Sequence, residues 1–343
     1  MKVINSKLAA IGLAAFVFAS CSDSNSDPTG PTPNVEVAEA ITANLTSSSA
    51  AELASRVANY KNTTANARKF FSRASQTRAF ATVDNVVIPA VPENAKTWNN
   101  PEDMAAGKTY LVTGKKTLNM EGCSIKGATI FVKGSSKLIF DQSLEGCKIY
   151  VDGGATLEYV GKTALEIPAD ATIIIDGGSI VVDKDITVAG KLYVRTPNNG
   201  GGIGSVNPYD KNDKKAIITP KHNITFKQGS DAFIGGSLHA VELNIEEGAT
   251  VNATKHIMNA TTVNVNGSLQ FGGFLRTETL NVKGEMIASE NSAIKASKVF
   301  NAEAGSRITA DYINVTNDTK DATLNLKGNC QININNKSDI YTN

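Results

Sequence analysis

One short motif repeats along most of this chain. Ser124-Ile-Lys-Gly-Ala-Thr-Ile-Phe-Val132 returns nineteen residues later as Ser143-Leu-Glu-Gly-Cys-Lys-Ile-Tyr-Val151. Its last four residues recur as Thr109-Tyr-Leu-Val112, Thr172-Ile-Ile-Ile175 and Lys191-Leu-Tyr-Val194, and after an insertion as Asn223-Ile-Thr-Phe226, Glu242-Leu-Asn-Ile245, Thr262-Val-Asn-Val265, Thr279-Leu-Asn-Val282, Val299-Phe-Asn-Ala302 and Tyr312-Ile-Asn-Val315. The starts are mostly 17 to 24 residues apart. A unit this small cannot bury a core alone, so it must stack on copies of itself.

Within each unit two apolar residues flank a variable one, the period of a strand with alternate residues turned inward. A second strand follows a glycine corner, as in Gly153-Gly-Ala-Thr-Leu-Glu-Tyr159. The spacing predicts an all-β solenoid over 109–343. The pattern resembles the right-handed parallel β-helix, the pectin-lyase-like fold, and more distantly the bactofilins. A β-sandwich is the alternative, but it would need alternating hairpins, whereas the Asn-Gly and Asp-Gly turns recur in one phase of the repeat. Solenoid ends must be closed. Trp98, the one tryptophan, is placed to cover the first coil, and the tail from Asn333 to Asp339 is polar enough to discourage stacking.

The N-terminus carries a different message. Lys2 and Lys7 precede the apolar run Leu8 to Ala19, which ends in small residues and Cys21, as a secretory signal does. The run is too short to span a bilayer. Phe18-Ala19-Ser20-Cys21 resembles the bacterial lipobox, which implies a signal peptide over 1–20, acylation of the Cys21 thiol and a membrane anchor. Residues 21–34 hold three prolines and read as an extended tether. Asp23 and Asp27 resemble the export signals of Bacteroidetes surface lipoproteins, although the consecutive acids of that signal are absent. The resemblance implies a surface-exposed outer-membrane protein. Cleavage removes two lysines, leaving 32 basic against 33 acidic side chains, a balance with no bias toward nucleic acid.

Over 35–82 the period becomes helical. Leu53, Val57, Tyr60, Thr64, Ala67 and Phe71 recur at spacings of three and four, an apolar stripe opposite a basic face. This N-terminal amphipathic helix precedes a cap over 83–108.

If the flanking residues point inward, the middle ones point out. The first five are Leu111, Phe131, Tyr150, Ile174 and Tyr193, an apolar ribbon on a wet face. Either the helix of residues 51 to 73 covers it, or Phe131, Tyr150 and Tyr193 form a platform for sugar rings or a partner protein. The later middle residues are Thr225, Asn244, Asn264, Asn281, Asn301, Asn314, Asn325 and Asn333, a ladder of amides able to bond from coil to coil.

Catalytic signals are thin. Asp183 and Asp185 are read as sharing a strand face, as a glycosidase pair might, yet Asp183-Lys184-Asp185 fits a solvated edge equally well. Arginines are few in the solenoid (Arg195, Arg276, Arg307), so a lyase-like acid-and-base cluster has no obvious seat. His222, His239 and His256 lie seventeen apart but drift relative to the strands, so a shared metal site is not expected. No cofactor motif is present. Gly200 to Gly204 lies in the long insertion 196–215 without a following helix pattern. Cys123, Cys147 and Cys330 are an odd set; the first two lie one winding apart and could bridge. These features predict a non-enzymatic, lipid-anchored structural or binding solenoid with a glycan or surface-protein partner. The alternative is a polysaccharide lyase or hydrolase on the same scaffold.

Overall fold

The computed structural model describes residues 2–3, 41–45, 87–195, 203–204, 221–235, 238–254, 257–289, 292–310, 312–315, 322–327, 330–334 and 340–342. The helical segment expected within 35–82 lies outside them, except for a short strand, Ile41–Leu45, antiparallel to Ala322–Leu326. The rest is an all-β parallel solenoid of about nine turns. Among the described residues there is no β-sandwich: successive coils pair in parallel, as Lys148–Asp152 does on both Thr129–Val132 and Thr172–Asp176.

Each coil carries up to three strands. The first face is a twelve-stranded sheet that begins with Lys96–Thr97 on Thr109–Val112, so pairing starts inside the expected cap. It runs through Thr129–Val132, Lys148–Asp152, Thr172–Asp176, Lys191–Arg195, Asp231–Ile234, Thr250–Ala253, Ser268–Phe271, Glu285–Ala288 and Arg307–Ala310 to Gln331–Ile334. A second face opens with a four-stranded sheet, Thr117–Asn119 to Ser179–Val182. The third face starts at Leu165–Ile167 and Ile186–Val188 and continues through Ile224–Phe226 and Glu242–Ile245. In later coils the second and third strands merge into long strands, Ile257–Val265, Phe274–Val282 and Ala293–Ala302, whose pairing shifts register midway.

The alternation is explained by one continuous core. Tyr110, Val112, Ile130, Val132, Ile149, Val151, Ile173, Ile175, Leu192 and Val194 all point into it and are buried. At one corner Gly267 and Gly284 stack so closely that a Cβ on Gly284 would stand 2.0 Å from the Gly267 carbonyl oxygen, a place only glycine can fill. Trp98 closes the first coil: it is buried, packs edge-on against Tyr110 at 4.8 Å, and carries the Lys96 ammonium 4.4 Å from its ring centre.

One expectation is corrected by this topology. The middle residues before and after the insertion do not form one row. Ile224–Phe226 stacks on Ile186–Val188 of the third face, whereas Lys191–Arg195 continues into Asp231–Ile234 of the first. Both faces use the same alternation, so the period alone could not tell them apart.

Candidate functional site: an apolar ribbon under a strap

The ribbon is a row of cross-strand neighbours on the first face: Leu111, Phe131, Tyr150, Ile174, Tyr193 and then Phe233. In the sequence the insertion hides the phase of Ala232-Phe-Ile234, so only the register on Lys191–Arg195 brings Phe233 into the row. Phe131 and Tyr150 stack with ring centres 4.9 Å apart. The ribbon is far from fully open: Phe131 and Phe233 are 1% and 2% exposed, and Tyr150 and Tyr193 are half-buried. Ile88 packs against the buried pair Ile174 and Phe233, as Tyr150 and Tyr193 do. The chain from Val87 to Thr97 thus runs from the middle of the solenoid back to its first coil. The helix expected over residues 51 to 73, the candidate cover in the sequence, lies outside the described residues; among those described, the cover is an extended strap.

Beside the ribbon lies a cleft of about 340 Å³ lined by Val87 to Ala90 of the strap and by Lys133, Asp152, Asp176 and Arg195. These four side chains follow the last inward residue of successive coils, and they alternate as cation, two anions, cation. Lys133 pairs with Asp152 at 2.9 Å; Arg195 grips Asp176 through two nitrogens, Nε at 2.8 Å. Next to them Tyr193 donates to Asp231, and burial together with that carboxylate pushes its hydroxyl pKa well up. Burial does the same to Tyr150.

Beyond Phe233 the row becomes polar. Asn252, paired in register with Phe233 and Gln270, is buried, and neither of its side-chain amide atoms has a hydrogen-bond partner among the described residues.

The amide ladder stands on the third face. Asn264 Nδ2 donates to Asn244 Oδ1 at 2.7 Å, Asn281 to Asn264 at 2.7 Å, Asn301 to Asn281 at 2.6 Å and Asn325 to Asn301 at 2.5 Å. Thr225 occupies the position before Asn244. Asn314 does not belong to this row: it stands in register with Lys295 and Arg276 on the neighbouring stretch of sheet. Asn333 is on the first face, opposite Thr309.

Asp183 and Asp185 do not share a strand face; they flank the turn between Ser179–Val182 and Ile186–Val188. His222 bridges them, its Nε2 2.9 Å from Asp183 and its Nδ1 3.7 Å from Asp185, which also accepts the Asn223 amide. The His222 hydrogen bond holds the Asp183 carboxyl below its ordinary range. The arrangement clips the chain as it re-enters the solenoid after the insertion. His239 stands elsewhere, in register with Gly204 and Met258; His256 is outside the described residues. No group of three or more metal-ligating side chains occurs among the described residues. Cys123 and Cys147 do not bridge and are free thiols. The Cys147 thiol donates to the Ile125 carbonyl at 3.0 Å. Cys21 lies outside the described residues.

Comparison with protein-family models, curated proteins and solved structures gives no match for this chain.

Proposed function

We propose that this chain is a non-enzymatic, lipid-anchored solenoid of the bacterial cell envelope, held through Cys21 to the outer membrane and serving as a structural or binding element. The resemblances to Bacteroidetes surface lipoproteins and to pectin-lyase-like β-helices and bactofilins belong to this reading. The single observation that carries its non-enzymatic part is the commitment of the carboxylates. Asp152 and Asp176 are ion-paired to Lys133 and Arg195, and Asp183 and Asp185 are tied to His222 and the Asn223 amide. Each of these four carboxylates is held by a side chain or an amide of the same chain rather than presented to a substrate. The ribbon, too, is engaged by the chain's own Ile88 rather than left as a bare platform.

A second reading has one observation in its favour. Asp152 and Asp176 are direct neighbours on adjacent strands, with Arg195 and Lys133 in the same cleft, a set from which a polysaccharide hydrolase or lyase could be built. Glycan-array binding and release of new sugar ends, measured on the same purified chain, separate the two. Binding without cleavage supports the proposal. Cleavage that is lost in Asp152→Asn or Asp176→Asn overturns it.

A further inference from the structure

Phe274, 44% exposed, is one of three large apolar side chains on the described surface and the only aromatic among them. Two residues along the same strand, Arg276 projects on the same side, its guanidinium carbon 5.6 Å from the Phe274 ring centre. Lys295 is the direct cross-strand neighbour of Arg276. Neither cation makes an ion pair among the described residues, and the nearby acid Glu278 is engaged by Lys298 at 2.5 Å. Like charges directly opposite on adjacent strands are destabilising, so the fold's own stability does not explain the pair. An exposed aromatic ring beside two cations without ion pairs among the described residues matches a lipid–water boundary, where rings sit among the headgroups and ammonium or guanidinium groups meet phosphate.

We infer that the strip of Phe274, Arg276 and Lys295 is a membrane-facing contact for anionic phospholipid. This rests on the reading that the chain is tethered to a membrane. The strip would hold the solenoid against the bilayer that anchors it, where a tether alone leaves its orientation undetermined.

The test uses the chain from Ser22 to Asn343 made without acyl groups, so that its outcome does not depend on Cys21. The chain is sedimented with phosphatidylglycerol-rich vesicles and with phosphatidylcholine vesicles. The expected result is binding to the first and not the second, weakened by salt. Phe274→Ser weakens it, and Arg276→Glu with Lys295→Glu weakens it by roughly tenfold or more. Arg276→Gln with Lys295→Gln, checked by an unchanged melting temperature, guards against a folding defect and should weaken it less. Absence of binding by the unaltered chain, or binding indifferent to both double variants, overturns the inference. So does release by inorganic phosphate at matched ionic strength, which would mark a free-anion site. Equal, variant-sensitive binding to dextran sulfate would mark a general polyanion site and also overturn it.

Discussion

The Asn281 amide donates to Asn264 Oδ1 at 2.7 Å and accepts from Asn301 at 2.6 Å, so each middle member of the ladder is held from both neighbouring coils. Asn264 donates as well to Glu242 Oε1 at 3.1 Å. Asn264→Asp would set a carboxylate against two acceptors, Asn244 Oδ1 and Glu242. It should cost about 1–3 kcal/mol for the donor lost and the acceptors left facing one another. Asn325→Asp, at the end of the ladder, should cost less. Urea unfolding of the two variants checks the order.

Two substitutions of opposite sign test the inward and outward assignment. Val151→Asp places a charge in the fully buried core and should cost several kcal/mol. Asn252→Leu replaces a buried amide without partners by an apolar side chain of similar size, beside Phe233, and should be neutral or stabilising. A melting temperature that falls for both would contradict the register of the first face.

Strand period and coil length were legible because every coil must bury the same two positions of a strand. Which face a strand occupies was not, since Leu192-Tyr-Val194 and Leu243-Asn-Ile245 show one alternation and differ only in the loops that close their coils. Hence the alternation alone groups Asn314 with the ladder although it pairs with Lys295, and it gives no place to Phe233 behind the insertion. Tertiary contact alone reveals the strap: Ile88 sits in a proline-flanked stretch whose short apolar pattern gives no partner. Asp183 and Asp185 were placed on a strand by alternation; the turn and its His222 clip depend on a residue thirty-nine positions away from Asp183.

The strap makes a prediction about surface chemistry. Ile88→Asp should loosen residues 87–92 and expose Ile174, Tyr150, Tyr193 and Phe233, because a carboxylate will not remain on that apolar cluster. Binding of a hydrophobic dye should rise while the core melts as before. Unchanged dye fluorescence would mean that Ile88 does not cover the ribbon in solution.

The thiols should differ in reactivity. Burial pushes the Cys147 thiol pKa above its ordinary range, and the thiolate is the nucleophile. At pH 8 the folded chain should therefore alkylate at Cys147 much more slowly than the half-buried Cys123, with both labelled after unfolding. Peptide mass mapping reads the two sites, and equal rates in the folded chain would show that the first face opens readily around Cys147.

The central claim, an envelope solenoid held by lipid, rests on one atom, the Cys21 sulfur. Mass spectrometry of the N-terminal peptide from protein extracted from membranes tests it most directly. The account predicts a mature chain that begins at Cys21 and carries acyl groups, with release from the membrane fraction or failed maturation in Cys21→Ala. An unmodified Cys21, or a mature chain beginning elsewhere, would contradict it.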